Sequence, residues 1–242
     1  MSGGTIYGVG LGPGAADLMS VRADRLLRNA SDVAFFRKAG RTGRAVKIAE
    51  GIVNPDAVQF AMEYPVTTEI PFDDPAYNAC LSAFYEDCAA HLRGLAHSGR
   101  DVVVLCEGDP FFYGSFMHLH SRLHVDCSVD IVPAITGMSA AWTATDMPIT
   151  WGDDVLTVLM GTLPEADLVA RMQSTDALVI MKIGRNLARV RRALETAGLL
   201  DRAWLVQYAA MEGQSVARLA ETDVETVPYF SIILVHGQGR RP

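Results

Sequence analysis

Short apolar runs alternate along the chain with longer stretches whose apolar residues recur every three or four positions. Runs of β-branched residues bounded by glycine predict strands, and a period near 3.6 predicts helices. Residues 5–10 (TIYGVG) read as a buried strand and 33–36 (VAFF) as a second. Residues 101–106 (DVVVLC) are apolar at almost every position, the pattern of a strand buried on both faces. Ser20 is a candidate N-cap for a helix with Ala23, Leu26, Leu27 and Ala30 on one side. A long amphipathic helix places Tyr77, Leu81, Phe84, Cys88, Leu92 and Leu95 at steps of three and four, and Gly99 closes it. Residues 129–133 (VDIVP) form a further strand, with a helix after Thr136. Between 40 and 76 the pattern is broken by Pro55, Pro65, Pro71 and Pro75, which mark loops or edge structure.

After 146–154 (DMPITWGDD) the alternation restarts. Strands are expected at 155–160, 177–182, 203–209 and 229–237, and helices at 165–172 and 185–198, the second ended by Gly198. The expected fold class is therefore α/β, with two α/β domains, 1–147 and 148–242. Ligands of open α/β sheets bind beyond the carboxyl ends of the strands, so every strand-to-loop junction is a candidate site.

Composition narrows the function. Half of the residues are hydrophobic and a fifth are charged, as in an ordinary globular protein. No apolar run approaches the length of a membrane span. The start, MSGGTIYGVG, lacks the basic and apolar regions of a signal peptide, so a cytoplasmic location is expected. The net charge is −7 and no basic stripe is present, which argues against nucleic-acid binding. Cys80, Cys88, Cys106 and Cys127 have no CxxC spacing and read as reduced thiols, mostly in the core. His118, His120 and His124 lie close together, but no Cys or carboxylate completes a zinc spacing. They read as a solvated or substrate-facing helix edge, and no metal is expected.

Two loops carry the candidate chemistry. Residues 8–14 (GVGLGPG) follow the first strand and invite comparison with the dinucleotide fingerprint GxGxxG. The sixth position is Pro13, where that motif needs a small residue. Arg37 and Lys38 stand where an acid should meet a ribose, and Asp32 comes before that strand. The loop reads instead as a tight turn or as a place of close backbone approach to a ligand, stiffened by Pro13. In 102–116 (VVVLCEGDPFFYGSF) a buried strand ends in Glu107, Gly108, Asp109 and Pro110, followed by Phe111, Phe112 and Tyr113. Gly108 and Gly114 permit close backbone approach. Asp109 followed by Pro110 also reads as the start of a helix.

Taken together, GVGLGPG, CEGDPFFYG (106–114) and VPAITGMSAA (132–141) resemble the cobalamin and sirohaem-type tetrapyrrole methyltransferases. The resemblance continues through 64–71 (YPVTTEIP), 153–164, 179–186 and 202–209, and so covers nearly the whole chain. It is nearest to the branch that methylates precorrin-2. It implies two α/β domains with the active site in the cleft between them. It also implies S-adenosylmethionine as methyl donor, held mostly by backbone groups, no metal, a homodimer, and precorrin-2, a tetrapyrrole with many carboxylates, as substrate.

By the same resemblance the donor-binding positions are Pro13; Glu107, Gly108, Asp109 and Phe112; Thr136 and Gly137; Met181 or Lys182; and Ala209 with Ala210. Three departures from the family pattern stand out. Pro133-Ala134 replaces Pro-Gly, Tyr208-Ala209-Ala210 replaces Arg-Ala-Thr, and 15–20 (AADLMS) replaces a more acidic turn. Tyr113 is the candidate acid–base or orienting group, with Tyr229 second, because a proton must leave the methylated carbon. Arg37, Lys38, Lys182 and Arg185 follow strands and could meet substrate carboxylates, whereas Arg189, Arg191 and Arg192 read as a solvated helix face. Rival functions are a sister methyltransferase acting at another ring carbon or on the cobalt-loaded substrate, and a donor-binding sensor or tetrapyrrole carrier. The glycine spacing disfavours a nicotinamide oxidoreductase.

Overall fold

The structure, a computed structural model, describes residues 3–66 and 74–240. Pro71 and positions 67–71 of the YPVTTEIP segment lie outside the described residues. The chain divides into two compact units, Met1–Thr136 and Gly137–Pro242.

The first unit is built as β1 (Thr5–Gly10), α1 (Val21–Asn29), β2 (Asp32–Lys38), α2 (Arg44–Ile48), β3 (Val58–Tyr64), α3 (Pro75–His97), β4 (Val102–Cys106), α4 (Phe116–Leu123) and β5 (Ser128–Val132). The strands form one sheet, ordered β3-β2-β4-β1-β5, and every pairing is parallel. A parallel sheet must be covered on both faces, and two apolar clusters do this. Ala89, Leu92 and Ala96 of α3 pack with Phe116, Leu119 and Leu123 of α4 on one face. Ala23 and Leu27 of α1 pack with Ala45 and Ile48 of α2 on the other. β4, in the middle, is buried at all its positions, as its sequence predicts.

Local signals set the helix ends. Ser20 accepts a hydrogen bond from the Ala23 amide at 3.1 Å, as expected of an N-cap. Asp74 caps α3 with Pro75 at its first position, and Gly99, at φ +87°, ends it. The deepest stripe of α3 is Tyr85, Ala89, Leu92 and Ala96; the predicted Leu81, Phe84, Cys88 and Leu95 flank it. Asp32 is 2% exposed at the start of β2 and is held by Arg100, whose Nε lies 2.9 Å from Oδ2 and whose Nη2 lies 2.5 Å from Oδ1.

The second unit is α5 (Gly137–Ala144), β6 (Leu156–Met160), α6 (Glu165–Met172), β7 (Ala177–Met181), α7 (Leu187–Thr196), β8 (Ala203–Gln207), β9 (Ser215–Arg218) and β10 (Ser231–Val235). Its sheet runs β6-β7-β10-β8-β9 and is mixed. Only β6 and β7 are parallel; β10 lies antiparallel between β7 and β8, and β9 pairs antiparallel with β8.

The division between the units falls before α5, earlier than the expected seam at 147/148. The reason is packing: Ala141, with Met138 and Trp142, sits against Ala177, Val179, Val206 and Leu234 of the second sheet. The arginines of α7 also differ in part from expectation. Arg191 donates to the Leu219 and Thr222 carbonyls, Arg189 to the Leu163 carbonyl and Asn186, and Arg192 to Glu165. Arg189 and Arg191 tie the helix to neighbouring loops, whereas Arg192 stays exposed, as expected, while pairing with Glu165 of α6. All four cysteines are free, but only Cys106 is buried; Cys80, Cys88 and Cys127 are half-buried.

Candidate functional site

The three loops that follow β1, β4 and β5 meet. The Leu11 amide donates to the Cys106 carbonyl at 2.9 Å, and the Gly108 amide to the Gly12 carbonyl at 2.8 Å, so the first two loops are laced as a short antiparallel bridge. Pro13, which follows, is buried. A Cβ placed on Gly10 would lie 2.8 Å from the Gly108 oxygen, 2.9 Å from Pro110 Cδ and 2.6 Å from Ala134 Cβ. Glycine is needed at position 10 because all three loops touch there. The same contact shows how alanine is accommodated at 134, where the resemblance implied glycine: its methyl occupies space that residue 10 leaves free. Gly8 serves a different purpose. A Cβ there would meet the Phe116 ring at 2.4 Å, so this glycine seats α4 on the sheet.

Asp109 fastens the arrangement. Its Oδ1 accepts from the Phe111 amide at 2.9 Å and its Oδ2 from the Ala134 amide at 3.0 Å. The carboxylate therefore ties the β4 loop to the β5 loop. It does not cap a helix: residues 110–113 are turns and bends, and α4 begins only at Phe116. The helix-start alternative for Asp109 and Pro110 is thus corrected to a side-chain turn.

Glu107 also serves its own fold. The Ala45 amide donates to its carboxylate and Arg44 lies beside it, which joins the start of α2 to the end of β4. Crowding around the carboxyl pushes its pKa up, even though the residue keeps an accessible face; Arg44 and the Ala45 amide oppose that rise. Burial, then Asp109 and Glu107, push the Cys106 thiol far upward, so it stays protonated at neutral pH and is no nucleophile.

Gly108 contrasts with Gly10. It has φ +65°, and a Cβ built there meets nothing within 4 Å. Its glycine character serves a left-handed backbone that faces open space. Tyr113, 44% exposed, also has a left-handed backbone, φ 55°, and its ring sits edge-on to Phe112 at 4.9 Å. An open depression of about 470 Å³ lies nearby, lined by Asp17 to Ser20 and by Pro133, Ala134 and Ile135. This volume falls within the range of small-molecule sites. None of the predicted site residues lines it.

Thr136 ends the first unit, and Gly137 opens α5 in the second. A Cβ on Gly137 would make only an ordinary 3.7 Å contact with Ile232. The remaining predicted positions lie at strand ends of the second unit. Lys182, just after β7, has φ 53°; Tyr208 and Ala210, just after β8, have φ 53° and 55°. The Met181 carbonyl is taken by the Gly161 amide at 2.7 Å. At position 210, where the resemblance implied a hydroxyl, the Ala210 amide donates to Gln214 Oε1 at 2.8 Å, while Ala209 packs on the core. Left-handed non-glycine residues cost energy and gather at functional loops. Of the five such residues among those described, Lys182, Tyr208 and Ala210 lie within three positions of the carboxyl ends of β7 and β8, and Tyr113 lies farther along the loop after β4.

The basic candidates separate. Arg37 lies opposite Glu63 in the β2–β3 register and is engaged by it, Nε to Oε1 being 2.8 Å. That partner was not visible without β3. Lys38 ends β2. Arg185 is exposed on the loop after β7. His120 and His124 stack on α4 at 4.8 Å, and His120 meets Phe111 edge-on. Tyr229 is 76% exposed, beside Phe230. Sequence reasoning missed Gly10, Arg44 and Ala45; the crowding of glycines in 8–14 was the available signal for the first.

Comparison with known proteins follows the same lines. The family model for tetrapyrrole (corrin/porphyrin) methylases matches residues 5–225. A precorrin-2 C(20)-methyltransferase from Sinorhizobium sp is 46% identical over 239 residues, covering 99% of this chain and 98% of that protein. A cobalt-precorrin-2 C(20)-methyltransferase from Salmonella typhimurium is 30% identical and covers 97% of each. The crystal structure of a uroporphyrin-III C-methyl transferase from Thermus thermophilus, complexed with S-adenyl homocysteine, superposes with a TM-score of 0.63 at 22% identity, covering 96% of this chain and 97% of that one.

Proposed function

The chain belongs to the tetrapyrrole (corrin/porphyrin) methylases, and on that premise we propose that it methylates C20 of precorrin-2, giving precorrin-3A, with S-adenosylmethionine as donor. The observation that carries the donor site is the junction of three loops at Gly10, with Gly108 left-handed and facing open space. A ligand held by backbone groups needs such a surface, because a side chain at position 108 would stand in its path. When bound, the donor supplies a methyl group on a positively charged sulfur, activated for in-line displacement.

The residues of this chain supply position and environment. Asp109 holds the β4 and β5 loops at fixed spacing. Phe111, Phe112 and Tyr113 provide apolar surface beside the glycine, which favours dispersal of the sulfur's charge as the methyl leaves. Pro13, Glu107, Thr136, Gly137, Met181, Lys182, Ala209 and Ala210 complete the proposed donor contacts. Glu107 acts by bracing α2 against the β4 end. Tyr113 is the proposed orienting or proton-accepting group. Lys38 and Arg185 are the proposed partners of substrate carboxylates, and Arg37 joins them by exchanging Glu63 for a substrate carboxylate; an exposed pair of this kind is worth at most about 1 kcal/mol. The chemistry calls for no metal. We further propose that the enzyme acts in the cytoplasm as a homodimer, without nucleic acid or membrane partners; among the described residues no helix is long and apolar enough to cross a membrane.

Metal-free precorrin-2 is preferred over its cobalt-loaded form because identity is 46% to the relative named for the former and 30% to the one named for the latter. The test is mass spectrometry of the tetrapyrrole after anaerobic incubation with S-adenosylmethionine. Gain of one methyl on metal-free precorrin-2, located at C20 by NMR, is expected. Gain only on the cobalt form would move the substrate. No gain on either, with donor still bound, would favour a sister enzyme or a sensor.

A further inference from the structure

Away from these loops, three side chains of different ligand chemistry converge. His97 ends α3, and Asp126 and Cys127 precede β5. One ligand atom from each lies within 4.8 Å of the other two. Cys127 Sγ is 3.9 Å from His97 Nε2. The topology causes the meeting: α3 leads into β4 and the α4–β5 turn leads into β5, and these strands flank β1 on either side. The turn is fixed by the Asp126 and Cys127 amides, which both donate to the Leu123 carbonyl, at 3.2 and 2.9 Å. Arg93 holds Asp126 Oδ2 at 2.7 Å and the Arg122 carbonyl at 2.9 Å, so the carboxylate is oriented from outside; the Cys127 thiol hydrogen-bonds that carboxylate and His97 Nε2 lies 3.3 Å from the Asp126 carbonyl, contacts that a bound ion would replace. His97 and Asp126 are exposed and Cys127 half-buried, which leaves an entry path.

We propose that His97, Asp126 and Cys127 form a peripheral binding site for a borderline divalent transition ion of the zinc class, with solvent as the fourth ligand. A nitrogen, a thiolate and a carboxylate suit such an ion and not magnesium or calcium, which prefer oxygen alone. The widest-spaced ligand atoms need to draw together by about 1–1.5 Å to reach the spacing set by metal–ligand bonds of about 2.0–2.3 Å. Two surface turns can supply that movement. Arg93 then plays the part of the outer hydrogen bond that orients a ligating carboxylate. The site sits at the amino ends of the parallel strands, opposite the loops assigned to methyl transfer, so it is separate from that chemistry and does not depend on it.

The test uses the full chain, stripped with chelator and kept reduced, and titrated with Co²⁺ as the probe. One equivalent should bind and give a near-ultraviolet thiolate-to-cobalt band, which Zn²⁺ then removes. Cys127→Ser should abolish the band, and His97→Ala should weaken binding by about tenfold or more. Cys88→Ser, outside the cluster, should change neither, and circular dichroism of the metal-free variants should match the parent. Absence of the band in the parent, or its persistence in Cys127→Ser with unchanged affinity in His97→Ala, would overturn the proposal.

Discussion

The two sheets present their strand ends in different ways. In the first unit the loops after β1, β4 and β5 are bound to one another by a backbone bridge, by the glycine contact at position 10 and by Asp109. In the second, the ends of β7 and β8 are shaped residue by residue, through the left-handed backbones of Lys182, Tyr208 and Ala210. The first device uses close approach, the second local strain. A site can therefore be exact in shape either because its loops hold each other or because the chain beneath them enforces an unfavourable conformation. The two should fail differently under mutation.

The largest effect expected is on the open face of the first unit. A Cβ at position 108 meets no protein atom within 4 Å, so Gly108→Val should fold, with stability lowered by about 1–2 kcal/mol for a side chain at positive φ. Donor affinity, measured by calorimetry, should fall by about a hundredfold, or roughly 3 kcal/mol; unchanged affinity would remove Gly108 from the site. Next, Asp109→Ala leaves the Phe111 and Ala134 amides without their acceptor and should cost about 2 kcal/mol in denaturant unfolding. Asp109→Asn, which keeps Oδ1, should cost less than half of that. If Asp109→Ala proved as stable as the parent, the loops would not be fastened there.

The second unit predicts the opposite sign. Ala210→Gly relieves a left-handed alanine and should raise stability by about 1 kcal/mol, seen as a higher midpoint, while the parent binds donor better. A lower midpoint for Ala210→Gly would show that no strain is held there.

The smallest effect is on pH dependence. Glu107 has a raised pKa in the folded protein, so the folded state binds its proton more tightly than the unfolded chain does. Its contribution to stability is present below the ordinary carboxylate range and is lost as pH rises through the folded value. Glu107→Gln should flatten that part of the stability–pH curve; an unaltered slope would assign it to another group.

Much of this was legible in the sequence. The strands at 5–10, 101–106 and 177–182 and the long helix closed by Gly99 follow from apolar runs and caps, because those signals are local. β3 and β9 were not anticipated. β3 (VQFAMEY) is an edge strand between prolines with no continuous apolar run, and β9 (SVAR) has only four residues. Missing β3 hid Glu63, and with it the engagement of Arg37. The loop residues 8–14 and 107–110 were visible as unusual, but the carboxylate of Asp109 finds its second partner at Ala134, 25 positions away. The His97–Asp126–Cys127 cluster was invisible for the same reason: its members are brought together by strand order, and no spacing records that.

The contact between position 10 and Ala134 carries a consequence for how this protein can change. The two positions draw on one small volume, so the effect of a mutation at either depends on what the other holds. A methyl at position 10 is harsher in this background than in one with glycine at 134, and placing glycine at 134 would soften it only in part, since the Gly108 oxygen and Pro110 remain. Such epistasis sets the order in which substitutions are tolerated. A chain carrying alanine at 134 has closed one route at position 10 that a chain with glycine there would leave less obstructed.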